Sequence, residues 1–175
     1  MYLNAKKLAF LGLLLSVDVI LLILSGIIEF NTLFLLAAAS FCVGIAIREG
    51  GKSMGFGFYL ASILLGLILA PNKLYCITYA AMGLYIVVIE YTFDKLTHVK
   101  GNRIRIFWIL KYLVFNVMYL PMLFLMPKLF YTGTINLSIV LFLLAAGQLV
   151  LFLYDKAYEY FQRYIWGKIR NHVKL

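Results

Sequence analysis

The chain has 175 residues, of which 65% are hydrophobic and only 13% are charged, and its formal net charge is +9. Soluble domains contain roughly 45–50% apolar and about 25% charged residues, so this composition excludes an ordinary soluble domain and predicts an integral membrane protein. In such a protein a positive net charge reports which loops face the cytoplasm, and it does not indicate nucleic-acid binding.

Six apolar stretches predict six membrane-spanning helices. Each is close to the length that crosses a hydrocarbon core of roughly 30 Å as a helix, and short polar breaks separate them. Repeated β alternation is absent from the sequence, so a barrel is disfavoured. The fold class is therefore an all-α integral membrane protein with spans at Leu8–Ile28, Thr32–Ile47, Met54–Ala70, Leu74–Ile89, Ile104–Met126 and Ile135–Leu153.

Span one carries the most informative polar residue of the sequence, Asp18, near its middle. An ionisable side chain at this depth costs about 2.5–3.5 kcal/mol to insert, so we expect it to face protein and not lipid. At about 100° per residue, Ser25 and Glu29 fall on the same helical face. Either this face lines an outward-facing cavity for a polar or cationic ligand, or Asp18 makes an internal polar bond, for instance to Asn116 or Gln148.

Asn116 and Gln148 lie at a similar mid-membrane depth on spans five and six. If the polar face of span one lines a cavity, these two amides would be its supporting polar groups. The predicted ligand-binding residues are then Asp18, Ser25, Glu29, Asn116 and Gln148.

A strip of small residues occupies nearly the opposite face of span one. It consists of Ala5, Ala9, Gly12 and Ser16. Small side chains let a second helix approach closely within a membrane. The strip therefore predicts a helix contact, either within the bundle or with another subunit.

Residues 46–53, AIREGGKS, end in the Gly-Lys-Ser of a phosphate-binding loop. A working loop follows a buried strand and needs a metal-holding Asp on a neighbouring strand, and a bundle of membrane helices supplies neither. We predict a short cytoplasmic turn in which Gly50 and Gly51 end span two. Any ATP that this protein uses must then be hydrolysed by a partner.

Two charged residues lie near the inner ends of neighbouring antiparallel spans. Glu90 ends span four and Lys111 lies one or two turns inside span five. This placement predicts a structural Glu90–Lys111 ion pair, or alternatively a Lys111 side chain that extends to the membrane interface.

Four tyrosines lie in the outer halves of the predicted spans or just beyond them. They are Tyr75, Tyr79, Tyr119 and Tyr131. Tyrosine is enriched at membrane interfaces, where it forms an aromatic belt. Alternatively, these rings stack on a flat ligand.

The segment 154–175 follows the last span and has a different composition. Lys156, Glu159, Arg163 and Arg170 fall mostly opposite an apolar face formed by Tyr154, Tyr158, Phe161, Ile165 and Ile169. This pattern predicts an amphipathic cytoplasmic helix that lies on the inner leaflet or against a cytoplasmic partner. The predicted organisation is a six-helix bundle over 1–153 and this helix over 154–175.

The basic residues are distributed very unevenly between the two sides. Of the 16 lysines and arginines, only Lys73 and Lys128 fall on one side when the six spans are laid alternately across a membrane. Because lysine and arginine concentrate in cytoplasmic loops, both termini are predicted to lie in the cytoplasm.

Enzyme chemistry has little support in the sequence. His98 and His172 both fall in predicted cytoplasmic segments, without a paired His or Cys at the spacing of a metal site. No acidic cluster of the kind that holds magnesium at a lipid-modifying site is evident. We predict no enzymatic activity, no cofactor and no bound metal.

The chain resembles the substrate-binding (S) component of an energy-coupling factor (ECF) transporter. The resemblance rests on six spans in about 175 residues, on both ends lying inside, and on the strip that opens span one in AKKLAFLG. In that family an A-x-x-x-A motif on the first helix contacts the transmembrane coupling subunit, and the matching residues here are Ala5 and Ala9. The resemblance also implies a vitamin or metal bound near the outer side, and ATPases that are separate proteins.

A second resemblance concerns the setting of the protein in the cell rather than its activity. The stretches NTLFLLAAAS, PNKLYCITYAAMGLY and LKYLVFNV resemble small bacterial multi-pass membrane proteins. We therefore expect a multi-pass protein of a bacterial cell (plasma) membrane.

Two functions follow from the sequence. The first is a membrane-embedded solute-binding subunit that takes up a small solute with a coupling subunit and a partner ATPase module. The alternative is a non-transporting scaffold or assembly subunit of a cell-envelope complex. In that case the small strip and the C-terminal helix are partner surfaces, and the bundle is closed and filled.

Overall fold

The computed structural model describes residues 5–96, 103–125 and 136–173, and these residues are almost entirely helical. Six of the helices are long and apolar enough to cross a membrane by length and composition, so the chain is compatible with a multi-pass membrane protein, as predicted. The helices are α1 (Ala5–Ile27), α2 (Thr32–Gly50), α3 (Lys52–Leu69), α4 (Lys73–Leu96), α5 (Arg103–Leu125), α6 (Leu137–Tyr160) and α7 (Gly167–Val173).

Consecutive helices pack side by side through contacts close to their connections. The Thr32 hydroxyl at the start of α2 donates to the Ser25 carbonyl near the end of α1. The Phe93 ring near the end of α4 meets the Phe107 ring near the start of α5. We call the end of the bundle at which α1, α3 and α5 begin the basal end, and the opposite end the apical end.

Helix α2 is the centre of the bundle, since it packs against α1, α3 and α4. Its sequence is rich in small side chains, and Leu36, Ala39, Val43 and Ala46 have no exposed surface. Small side chains allow neighbouring helices to approach closely in a membrane protein. The neighbours of α2 are therefore held in the positions from which the polar clusters and the cavity arise.

The AIREGGKS segment contains the turn between two helices, as predicted. Helix α2 ends at Gly50, and Gly51 has a φ of 88°, in the left-handed region that glycine adopts without strain. Helix α3 begins immediately afterwards, at Lys52. Residues 51–55 also spell G-x-S-x-G, but that hydrolase motif needs a strand before its turn, and here a helix precedes it.

The C-terminal segment, defined here as residues 154–173, continues α6 without a break. After Tyr160 the chain forms a π-helical turn over Phe161–Trp166 and then α7. At about 1.5 Å per residue, a helix from Leu137 to Val173 is roughly 55 Å long, which exceeds a hydrocarbon core of roughly 30 Å. The helix is thus long enough to extend well past the membrane at one end.

The face of the C-terminal segment that packs against the bundle is not the apolar face expected to meet a leaflet or a partner. Tyr158 belongs to both faces, but Gln162 and Trp166 are buried against the bundle, whereas Ile165 and Ile169 are exposed and remain available to a leaflet or a partner. The prediction assumed a uniform α-helical period. A π-helical turn bonds residue i to i+5, so it moves the inward face along by about one residue.

This segment is held against α2 by hydrogen bonds to both backbone and side chains. The Gln162 amide donates to the Phe41 carbonyl at 3.3 Å. The Trp166 indole N–H donates to Glu49 at 3.0 Å, and Arg170 pairs with the same carboxylate at 2.9 Å. One face of the segment is therefore part of the bundle, and only its outward face is available to a leaflet or a partner.

Candidate functional site

A cavity of about 450 Å³ lies between α2, α4, α5 and α6. Its volume falls within the roughly 300–1,000 Å³ range of small-molecule sites. The lining begins near the apical end, at Leu33 of α2 and Thr78 of α4. The full lining is Leu33, Thr78, Ala81, Met82, Tyr85, Phe115, Met118, Tyr119, Leu143, Ala146, Gly147, Val150, Leu151 and Tyr154.

The polar groups of this lining are hydroxyls, and each already has a hydrogen-bond partner. Tyr119 Oη donates to the Leu143 carbonyl at 2.7 Å, and Tyr85 Oη donates to Asp155 at 3.2 Å. The Tyr154 hydroxyl lies 2.7 Å from Ser40 Oγ, and Thr78 Oγ1 donates to the Leu74 carbonyl at 3.3 Å. None of the lining residues carries a charge.

One glycine is required for the shape of the cavity. A Cβ added at Gly147 of α6 would lie 2.6 Å from ring atoms of Tyr119. The Tyr119 ring therefore lies across α6 where any side chain would collide with it. The hydrogen bond from Tyr119 to the adjacent turn of α6 fixes the ring in that position.

Asp18 lies outside this cavity, in a separate polar cluster of α1, α3 and α4. Tyr79 Oη donates to Asp18 Oδ2 at 2.7 Å, and the Ser62 and Tyr79 hydroxyls are 2.7 Å apart. None of these three side chains has exposed surface. Asp18 Oδ1 has no hydrogen-bond partner among the described residues.

The other predicted ligand-binding residues also lie away from the cavity lining. Ser25 is buried and donates to the Leu22 carbonyl of its own helix at 2.7 Å. The Gln148 amide donates to Asn116 Oδ1 at 2.8 Å, so these two residues join α5 to α6. The side chain of Glu29 lies outside the described part of the chain. The four described residues therefore form three separate polar contacts and not one site.

The partners of Asp18 were not identified from the sequence. Asn116 and Gln148, the suggested partners, bond to each other. The actual partner, Tyr79, was assigned to an interface belt or a stacking role, yet it is fully buried. Ser62, a polar residue at the centre of an otherwise apolar span, is the signal that could have located this cluster. Tyr131, the fourth tyrosine of the set, lies outside the described residues.

The predicted Glu90–Lys111 ion pair is wrong, because each residue has a different partner. Arg48 of α2 donates from Nε to Glu90 at 3.0 Å, and Tyr158 of α6 donates to the same carboxylate at 2.6 Å. Lys111 pairs with Asp155 of α6 at 2.7 Å instead. Sequence position gives the depth of each charge in the bundle, but not the direction in which it points around its helix.

The Lys111 cluster connects the cavity to the basal end of the bundle. Tyr85 lines the cavity and donates to Asp155, whose other oxygen accepts from Lys111. Lys111 also contacts Glu159 at 2.9 Å, and Glu159 pairs with Lys156 at 3.1 Å. A continuous set of polar contacts thus runs from the cavity floor to the more exposed Glu159–Lys156 pair.

The small-residue strip of α1 faces outward from the bundle. Ala5, Ala9, Gly12 and Ser16 are all exposed. A Cβ added at Gly12 would meet no atom within 4 Å. Of the two interpretations of the strip, packing inside the described bundle therefore has no support, and the strip is available to lipid or to another helix.

We expect Tyr79→Phe to destabilise the fold by about 1–3 kcal/mol, because it removes the 2.7 Å hydrogen bond to the buried Asp18 carboxyl, whose other oxygen has no partner among the described residues. The double variant Asp18→Leu with Tyr79→Phe should lose less stability than the two single variants lose together, since an apolar pair leaves no unsatisfied polar group. Unfolding in mixed detergent micelles measures both. Strictly additive losses of stability would contradict the hydrogen bond between Tyr79 and Asp18.

Comparison with protein-family models, with curated proteins and with solved structures finds no match to this chain. Within residues 5–96, 103–125 and 136–173 no group of three or more His, Cys, Asp or Glu side chains is arranged to hold a metal ion.

Proposed function

We propose that this chain is a membrane-embedded solute-binding subunit of a transporter, which takes up a small solute together with a separate partner ATPase module. The observation that carries the proposal is the cavity among α2, α4, α5 and α6, with a volume of about 450 Å³. Its volume and its mostly apolar lining with a few hydroxyl groups are typical of a small-molecule site, whereas the alternative, a scaffold subunit, was expected to have a closed and filled bundle.

The residues assigned to the solute differ from the set expected from sequence. The tyrosines Tyr85, Tyr119 and Tyr154 and the methionine Met82 line the cavity and are assigned to the solute. Asp18 is assigned a structural role, since its Oδ2 accepts a hydrogen bond from a fully buried tyrosine outside the lining.

Two further features support dependence on a partner. Gly51 of the Gly-Lys-Ser sequence lies between two helices and Lys52 begins α3, so a helix and not a strand precedes the motif, and the energy of ATP would come from another protein. The outward-facing strip of Ala5, Ala9, Gly12 and Ser16 offers a helix of a coupling subunit a surface for close approach. This strip is one of the features on which the resemblance to the ECF substrate-binding components rests.

The test is to isolate the tagged protein from its native membrane in mild detergent and to identify the proteins that come with it by mass spectrometry. We expect a transmembrane coupling subunit and two ATPases with the wild type. Gly12→Leu should reduce their recovery at least about tenfold, because a leucine there prevents close helix approach.

The matched control is Gly57→Leu on α3. Gly57 is also exposed, and a Cβ there would likewise meet nothing within 4 Å, so both substitutions add the same side chain to an open helix surface. The control should recover the ATPases at the wild-type level. Recovery of envelope-synthesis proteins without any ATPase would overturn the transporter proposal in favour of the scaffold, and equal losses for both variants would remove the strip from the interface.

A further inference from the structure

We propose that the cavity takes an uncharged, largely apolar and planar molecule whose polar groups are hydrogen-bond donors. This inference rests on the proposed function, since it names the class of solute for the same cavity. It departs from the polar or cationic ligand that the sequence suggested.

The lining offers no counter-charge to an ion. It consists of aliphatic, aromatic, thioether and hydroxyl-bearing side chains, with Asp155 and Lys111 lying behind Tyr85 and paired with each other. A charged solute would leave its water of hydration without gaining an ion pair, at a cost of several kcal/mol. An uncharged solute does not incur this loss.

The hydroxyl groups of the lining can still accept hydrogen bonds from a solute, but few of them have a proton free to donate. The Tyr119 proton is directed at the Leu143 carbonyl, the Tyr85 proton at Asp155, and the Thr78 proton at the Leu74 carbonyl. Each of these hydroxyl oxygens still has lone-pair capacity, because a hydroxyl donates one bond and can accept two. A solute that donates an O–H or N–H is therefore matched, whereas one that only accepts is not.

The walls of the cavity favour a flat molecule. On α5 the rings of Phe115 and Tyr119 are stacked, with centroids 5.0 Å apart and planes inclined by 15°. Two flexible thioethers, Met82 and Met118, can adapt to a ring face. Ala146 on α6 and Ala81 on α4 leave room in the lining because each projects only a methyl group.

The mouth of the cavity opens onto an apolar surface. Two of its lining residues, Leu33 and Val150, are 65% and 51% exposed. Both are aliphatic and belong to helices that are apolar enough to lie in a membrane. An apolar molecule dissolved in the bilayer can reach this mouth without crossing a charged region.

The experiment compares three probes of the same ring size in lipid nanodiscs: neutral naphthol, anionic naphthalene sulfonate and cationic naphthylmethylammonium. Binding is measured by equilibrium dialysis against empty nanodiscs, which corrects for partition into lipid. Ala146→Phe fills the cavity, and Ala145→Phe adds the same ring at an exposed neighbour outside the lining. Ala81→Phe fills the cavity from α4 and serves as a second variant should Ala146→Phe fail to fold.

We expect wild type and Ala145→Phe to bind naphthol at least about tenfold more tightly than either charged probe, and the cavity-filling variants to lose that binding. Tighter binding of a charged probe, abolished by the filling variants, would overturn the solute class while leaving the proposed function intact. If neither Ala146→Phe nor Ala81→Phe reduces the binding of any probe, the cavity is not a solute site. That result would overturn the proposed function as well.

Discussion

Lys111→Met is expected to lower the free energy of unfolding by about 3–5 kcal/mol, the range for breaking a buried ion pair from one side. Lys111 is 2% exposed and Asp155 has no exposed surface, with 2.7 Å between their charged atoms. Without the ammonium group, Asp155 keeps only the hydroxyl of Tyr85 at 3.2 Å among its described hydrogen-bond partners. A buried carboxylate with one long hydrogen bond is strongly disfavoured.

The neighbouring lysine supplies the control. Lys156 also pairs with Glu159, at 3.1 Å, but both of these side chains are more than 40% exposed. Exposed pairs contribute about 0–1 kcal/mol, so Lys156→Met should change stability by less than about 1 kcal/mol. Both substitutions remove a lysine charge from the same cluster, but Lys111 is buried and pairs with Asp155 and Glu159, whereas Lys156 is exposed and pairs with Glu159.

The measurement is reversible unfolding in mixed detergent micelles. A double variant, Lys111→Met with Asp155→Leu, should recover most of the lost stability, because replacing both ions with apolar groups removes the uncompensated charge. Similar losses for Lys111→Met and Lys156→Met would mean that Lys111 is solvated and that the polar connection beneath the cavity is not buried.

The helices of this fold could be predicted closely because their signal is length and apolar composition. Each predicted span coincides with a helix over most of its length, and the turn at Gly50 and Gly51 was located from two glycines alone. The course of the C-terminal segment was not predictable in detail. Its π-helical turn packs against α2, where Gln162 donates a hydrogen bond to the Phe41 carbonyl. The hydrophobic periodicity of the sequence does not indicate that contact.

The polar clusters were predictable in depth but not in partners. The insertion cost of a charge indicated that Asp18 faces protein, and it has no exposed surface. Its partner Tyr79 lies 61 positions away, and the sequence offered several polar groups at the same depth. Choosing among them requires the rotation of each helix about its axis, which tertiary packing sets.

The cavity could not have been found from the sequence at all. Its walls are made of Leu, Met, Ala, Phe and Val together with hydroxyl-bearing residues, the same types that face lipid or fill a core. Space appears where small residues of different helices, such as Ala81 and Ala146, line the same gap. The charged and polar residues of the sequence therefore indicated Asp18, which has no exposed surface and lies outside the cavity lining.

Gly55→Ala is expected to destabilise the protein by about 1–3 kcal/mol or more, although alanine is the better helix former. A Cβ at Gly55 would lie 2.6 Å from the Cα and 2.8 Å from the backbone nitrogen of Ile47. These are backbone atoms of the central helix α2, which cannot rotate aside as a side chain can. The clash can be relieved only by moving α3 away from α2.

Gly57→Ala, two residues further along the same helix, should have the opposite effect. A Cβ at Gly57 meets nothing within 4 Å, so only the helix propensity changes, in favour of the folded state by up to about 1 kcal/mol. Both variants gain the same helix propensity. The difference between their free energies of unfolding, measured by the same micelle assay, therefore reports only the close approach of α2 and α3. Equal stabilisation by both variants would mean that α2 and α3 are further apart than described. The packing centred on α2 would then be wrong, and the positions of the cavity and the polar clusters depend on it.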